Sequence, residues 1–333
     1  MIHQECKKCQ FYNRIKHTLD QLDQRVKFIK PSPGDIPKIM GIDIYGETLP
    51  KEGVLGGDHI IYIDFNKRYN LDARIDKIEE NCEEDIKEFT REEIAKNPYI
   101  QKKMGKKNEI NRELKKNRHK AGVLVADVRG HDESGSFLVG MLHQSFLTGA
   151  LYEMKIYGNI TTNLFEKLNT RFYNSSSVDD FFTMIYGEIS EEGKFKFVSA
   201  GHPAPLIFSA QKNKFIDIPP ELIVNYPPIG VMPSKKDIDS SLNQNALGYK
   251  QEYKISELNL MEEGDIMLLY TDGLAELENE KGESFFPSII ETILKKKKKL
   301  SAEEICFTIR ADILDFEKEP QDDITYVIIK KTS

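Results

Sequence analysis

The sequence predicts an α+β fold. Strand-like runs fall next to one another in hairpin-forming groups, and the helical patterns are gathered between those groups rather than alternating with single strands. Several runs, such as Ile266-Met267-Leu268-Leu269-Tyr270, are apolar at every position, as expected of strands buried on both faces.

Residues 1–30 are polar and helix-compatible, with scattered apolar positions at helical spacing over 11–29, which suits a partner-binding or dimerising helix. His3, Cys6, Cys9 and His17 lie close together in this segment. Cys and His are the usual tetrahedral zinc ligands, but the spacing matches no familiar finger, so a small zinc site and two free thiols both stand as readings. Pro31-Ser32-Pro33-Gly34 breaks the chain and marks a domain start, giving an N-terminal segment 1–30 and a domain 31–333.

Strands are expected over 38–45 and 59–65. Residues 67–120 are then about half charged and carry no strand signal. Leu71, Ile75, Ile78, Cys82, Ile86 and Phe89 form an apolar stripe at helical spacing, so this stretch reads as a charged helical insertion suited to docking, dimerisation or regulation. A strand follows over 121–126. After it comes a helix capped by Asp132 or Ser134, with Phe137, Leu138, Met141, Leu142, Phe146 and Leu147 on its buried face. A second amphipathic helix is expected over 160–173, and then strands over 181–189 and 194–199 around the hairpin Glu191-Glu192-Gly193.

The turn Gly201-His202-Pro203-Ala204-Pro205 leads to a strand over 206–209. Residues 210–248 read as a long irregular flap. Strands over 249–255 and 265–270, helices over 286–298 and 302–317, and a last strand over 324–329 complete the chain.

Bulk properties narrow the function. Hydrophobic residues make up 39% of the chain, enough for a core. A net charge of −7 leaves no cationic excess for nucleic-acid phosphates, and Lys295–Lys299 reads as a solvated helix end. No run reaches the ~20 apolar residues that cross a bilayer, and the N-terminus lacks a secretory layout, so a cytoplasmic protein without membrane insertion is expected. Four cysteines in this length do not make a disulfide scaffold.

The chemistry is carried by aspartates at strand ends. Asp58 precedes strand 59–65 and Asp127 follows strand 121–126. If the two strands pair antiparallel, both carboxylates stand at one end. The same holds for Asp272, after strand 265–270, and for Asp322 and Asp323, before strand 324–329. Hard divalent ions prefer such oxygen donors, and two ions ~4 Å apart activate a water and clamp a phosphoryl group. Glycines beside three of the aspartates let the backbone come close. Taken singly, each stretch is an ordinary acidic turn, so their conjunction carries the reading. The same geometry places the 67–120 insertion at the opposite strand ends, ~20 Å away at 3.3 Å per residue.

The ordered set Gly56-Gly57-Asp58, Asp127-Val128-Arg129-Gly130-His131, Ala200-Gly201-His202-Pro203, Tyr270-Thr271-Asp272-Gly273 and Asp322-Asp323-Ile324-Thr325 resembles the PPM family of metal-dependent Ser/Thr protein phosphatases. It is most similar to the SpoIIE/RsbU bacterial branch. The resemblance runs from about residue 36 to 330 apart from the insertion, and Glu276 fits the glutamate that follows Tyr-Thr-Asp-Gly. It implies two packed antiparallel β-sheets flanked by helices, with two Mn²⁺ or Mg²⁺ ions at one edge. By resemblance Asp127 is the bridging ligand, the Val128 carbonyl a further ligand, and Asp58, Asp272 and Asp322 the other carboxylates, with Asp323 second to Asp322. His202 takes a structural place in its turn.

The resemblance further implies a phosphorylated signalling protein as substrate, such as an anti-sigma-factor antagonist of a partner-switching system. Two features depart from the family pattern. Asp132 replaces a glycine and either caps the helix or ligates a third ion. Arg129 stands where the family often has a small residue, and either receives the substrate phosphate or pairs with Asp132 or Glu133. Two rivals remain: a phosphatase-like regulatory scaffold and a small-molecule metal phosphohydrolase. Homodimer or regulator contacts are expected through residues 1–30 or 67–120.

Overall fold

The computed structural model describes residues 29–51, 56–87, 89–129, 133–175, 181–236, 247–259 and 262–332. Two sheets stack face to face. One has the strand order β1 (Ile42–Leu49), β11 (Ile324–Lys331), β10 (Ile266–Tyr270), β6 (Leu206–Ser209), β7 (Lys214–Ile216). The other has β2 (Asp58–Asp64), β3 (Lys120–Val128), β4 (Phe182–Ser190), β5 (Lys194–Ala200), β8 (Asn225–Tyr226), with β9 (Ser256–Asn259) also on β5. Every pairing is antiparallel except β5 with β8. The expected sandwich of two antiparallel sheets flanked by helices is therefore the observed fold.

Side-chain alternation explains why these strands read as unbroken apolar runs. On β10, Met267 and Leu269 enter the core between the sheets, while Ile266, Leu268 and Tyr270 face helices. On β3, Val123 and Val125 face inward, and Leu124 and Ala126 face the other helical layer. Both faces of each central strand are covered, so no polar alternation survives.

Helices α1 (Phe65–Arg68), α2 (Leu71–Ile86), α3 (Arg91–Lys96) and α4 (Pro98–Lys116) join β2 to β3. Helices α5 (Glu133–Ile156) and α6 (Thr162–Ser175) lie between β3 and β4. Phe146 of α5 and Phe165 of α6 both pack against Tyr186 of β4. After α7 (Asp272–Ala275), helices α8 (Ser288–Lys297) and α9 (Ala302–Phe316) cover the other sheet. On α9, Ile305, Ile309 and Ile313 form the buried stripe, and a Ser301–Glu304 capping box fixes its start.

Several expectations are corrected. Residues 249–255 form no strand, because Lys250 and Tyr253 turn into a polar cluster on α6, and pairing with β5 begins at Ser256. The 210–248 stretch contains the short strands β7 and β8. The first strand is shifted to Ile42–Leu49 because Gly46, Glu47 and Thr48 pair with β11, a long-range contact without a local signal. Ser134 lies inside α5 rather than capping it. The apolar stripe of α2 is used within the chain: Leu71 and Ile75 are buried in the core beneath the β2–β3 sheet, and α4 packs alongside. Phe89, at the end of that stripe, is exposed. His3, Cys6, Cys9 and His17, most of the 1–30 segment, and Gly130, His131 and Asp132 lie outside the described residues.

Candidate metal centre

The β2–β3 register sets Asp58 directly opposite Asp127, and the far end of the same pair sets Asp64 opposite Ala121, where the linking helices attach. In the other sheet Tyr270 stands opposite Tyr326, so Asp272 and the Asp322–Asp323 pair leave the same end. The sandwich brings both ends together, and the carboxylates predicted from the sequence converge there. Asp127 is hydrogen-bonded to Asp272 and also feels the charges of Asp322 and Asp323.

Two polar links tie the sheets at this end. Thr271, fully buried, donates from Oγ1 to Asp58 Oδ2 (2.8 Å) and accepts the Thr325 amide (3.0 Å). Thr325 Oγ1 in turn bonds Thr48 Oγ1 at 2.8 Å. Asp323, buried, accepts the amides of Gly57 at Oδ2 (2.6 Å) and Lys51 at Oδ1 (2.7 Å). Its own amide donates to Asp322 Oδ1 at 2.7 Å.

These contacts separate the two neighbouring aspartates. Asp323 is committed to backbone amides, whereas Asp322 is only half-buried beside Asp127. The glycines serve Asp323 as well: a Cβ on Gly56 would fall 2.1 Å from its Oδ2, and one on Gly273 would fall 1.9 Å from its carbonyl oxygen. At these two glycines the close approach is to this aspartate. The Val128 amide donates to the Gly57 carbonyl (3.0 Å), but the Gly57 amide goes to Asp323 instead of completing the ladder.

Electrostatics follow from crowding. Burial, and then the neighbouring Asp127, push the Asp58 carboxyl well above the ordinary range. Burial, and then Asp272, Asp322 and Asp323, raise Asp127 to about 7. A carboxyl that holds its proton because other carboxylates surround it is one that a cation would discharge. The donor set is all oxygen, which fits Mg²⁺ or Mn²⁺. Among the described residues no three acidic or imidazole side chains close round a single point. The carboxylates approach in pairs, and the Asp127–Asp272 pair is one that a divalent ion would suit.

Arg129 is exposed, its guanidinium 5.3 Å from the centre of the Phe181 ring, and its amide donates to the Phe181 carbonyl (3.3 Å). His202 is buried with Nδ1 2.9 Å from Thr183 Oγ1, and Thr183 is the ladder partner of Asp127. Burial lowers its pKa to about 3, so it is a neutral brace. Glu276 is exposed at the end of α7, its amide on the Asp272 carbonyl (2.7 Å).

Two features escaped sequence reasoning. Thr271 and Thr325 lie inside the recognised motifs, yet hydroxyls there carry no distinctive spacing. Buried His59 and half-buried His143 form a pair (Nε2 to Nδ1, 2.9 Å), with His59 lowered to about 3 by burial and its partner. They are 84 residues apart in sequence, which leaves no local signal.

With this geometry described, comparison with known proteins adds the lineage. Residues 117–332 match the profile of the family described as Stage II sporulation protein E (SpoIIE). The chain is 22% identical to the phosphoserine phosphatase RsbU of Bacillus subtilis (strain 168) over 219 residues, covering 65% of this chain and 57% of that one. It is 28% identical to the phosphoserine phosphatase RsbP of the same organism over 160 residues, 47% of this chain and 33% of that one. The chain thus spans about half or less of the length of these relatives. The solved SiaA-PP2C domain of Pseudomonas aeruginosa shares the fold at a TM-score of 0.58 and 13% identity, with 96% of this chain and 98% of that one covered.

Proposed function

Since the chain belongs to the SpoIIE family, we propose that it is a metal-dependent phosphatase of phosphoserine and phosphothreonine in a protein, and that its substrate is an anti-sigma-factor antagonist of a partner-switching system. The observation that carries the reading is the convergence of Asp58, Asp127, Asp272 and Asp322 from both sheets on one edge, with Asp127 raised to about 7 by burial and then by that crowding. Similarity to two proteins named as phosphoserine phosphatases supports the substrate class.

In this reading Asp127 would be the ligand common to two Mn²⁺ or Mg²⁺ ions, Asp58, Asp272, Asp322 and the Val128 carbonyl would be further ligands, and Asp323 supports the Lys51 and Gly57 amides. When bound, the ions supply the Lewis acidity that activates water for attack on phosphorus. Arg129 binds the phosphate as a bidentate donor, released from its stacking on Phe181. Residues 31–333 form the phosphatase domain, with 67–120 as a helical insertion and 1–30 as a regulatory segment.

The direct test is hydrolysis of an aryl phosphate with Mn²⁺, with chelator, and with Asp272→Asn as control. Metal-dependent turnover abolished by the substitution is expected. A wild-type protein without turnover leaves the scaffold reading, and turnover of small phosphates alone leaves the small-molecule reading. Arg129→Ala is expected to raise KM for phosphoprotein far more than it weakens the Mn²⁺ dependence, and unchanged kinetics would remove its phosphate role.

A further inference from the structure

Helix α6 presents two polar side chains three positions apart, and so on one face. Asn169 is fully buried. Its Nδ2 donates to the Met232 carbonyl (2.8 Å) and its Oδ1 accepts the Gly230 amide (3.1 Å), the pattern of a peptide group. Glu166 accepts the Tyr253 amide at Oε1 (2.7 Å), and at Oε2 accepts both Lys250 Nζ (2.9 Å) and the Ser234 hydroxyl. The Lys250 side chain is 1% exposed, with its ammonium 3.4 Å from the centre of the Tyr253 ring. Residues 230–234 and 250–253 are therefore sewn to a single helix face by the neutral amide bonds of Asn169 and the charge-assisted bonds of Glu166.

The stretch held by Asn169 borders the carboxylate site. Ile229 exchanges both backbone hydrogen bonds with Phe182 (3.3 and 2.9 Å). Phe182 is the ladder partner of Val128, and the Phe181 carbonyl accepts the Arg129 amide. On its other side the stretch rests on Gly201, whose φ is +67° and where a Cβ would lie 2.6 Å from Pro228. Residues 226–232 thus form a wall along β4, one strand across from the end of β3 that carries Arg129, fixed by α6, β4 and the Gly201–His202 turn.

We propose that Glu166 and Asn169 are positioning residues for the protein substrate. Asn169 holds the 226–232 wall directly and Glu166 anchors its continuation at Ser234, where the chain around the phosphorylated residue must pass, while a small phosphate needs only the carboxylate cluster. The inference rests on the phosphatase reading above, and it assigns substrate discrimination to side chains that touch neither the metal ligands nor the phosphate. Loss of the latch moves the wall and leaves the chemistry intact.

The test compares p-nitrophenyl phosphate with phosphoserine-bearing casein, both with Mn²⁺, and follows melting temperature to confirm folding. Asn169→Leu is expected to lower kcat/KM on casein by ~10-fold or more, through KM, with the aryl phosphate changed by less than about twofold. The double variant Glu166→Gln/Lys250→Met removes the second grip without stranding a buried charge, and should shift the ratio in the same direction if Asn169→Leu does not fold. Equal losses on both substrates, or an unchanged ratio in folded variants, would overturn the proposal. A wild-type protein inactive on both probes refutes the phosphatase reading, and the substrate-positioning role falls with it.

Discussion

Thr271→Val is the sharpest probe of how the site is built. Valine matches threonine in shape but takes away the donor to Asp58 and the acceptor for the Thr325 amide, both inside a fully buried residue. A hydrogen bond to a carboxyl that burial keeps neutral is worth ~0.5–1.5 kcal/mol, and an orphaned buried amide costs about 1–3 kcal/mol. The two together predict a loss of roughly 1.5–4.5 kcal/mol against a total stability on the order of 5–15 kcal/mol. Thr271→Ser keeps both bonds and sheds one buried methyl, about 1 kcal/mol. Urea unfolding of the three proteins, with m unchanged, should rank wild type above Ser and Ser well above Val. A Val variant as stable as Ser would refute the reasoning, since shape and not hydrogen bonding would then govern the position.

Other outcomes follow from the same contacts. Asp323→Asn is expected to cost ~1–3 kcal/mol in urea unfolding, because it sets an amide donor against a backbone donor at Lys51 or Gly57, whereas Asp322→Asn should cost little stability and abolish the Mn²⁺ response. Gly273→Ala should destabilise by at least ~1–3 kcal/mol, since its Cβ meets Asp323 backbone that cannot swing away. The chelated protein should lose stability as pH rises. Asp127 moves from 3.8 to about 7 on folding, so the folded state binds the extra proton, and its contribution is complete below the unfolded value and gone above the folded one. Melting at about pH 5 and about pH 8 should therefore differ less in Asp127→Asn, and Mn²⁺ should offset the loss at the higher pH.

The fold and the gathering of aspartates were legible because both depend on local patterns. Continuous apolar runs mark where each strand ends, and antiparallel pairing of successive strands sets the aspartates at those ends side by side. What stayed hidden depends on pairings distant in sequence. The shift of the first strand to Ile42–Leu49 is set by β11 at the far end of the chain. The divided duties of Asp322 and Asp323 depend on which carboxylate meets the Lys51 and Gly57 amides, which adjacency in sequence cannot tell. The grip of Glu166 and Asn169 on a loop more than 60 residues away has the same character. The strand expected over 249–255 failed for a related reason, because Lys250 is buried against the Tyr253 ring and Glu166, 84 residues away.

The Thr48–Thr325–Thr271–Asp58 line has a mechanical meaning. Apolar packing between two sheets is non-directional, so the core holds them together without fixing how far one slides across the other. Directional bonds at the aspartate end act as a locating pin, and Asp323 on Gly57 is a second. Two pins at one edge resist both translation and rotation of one sheet against the other there. Ligands contributed by separate sheets can then keep their spacing.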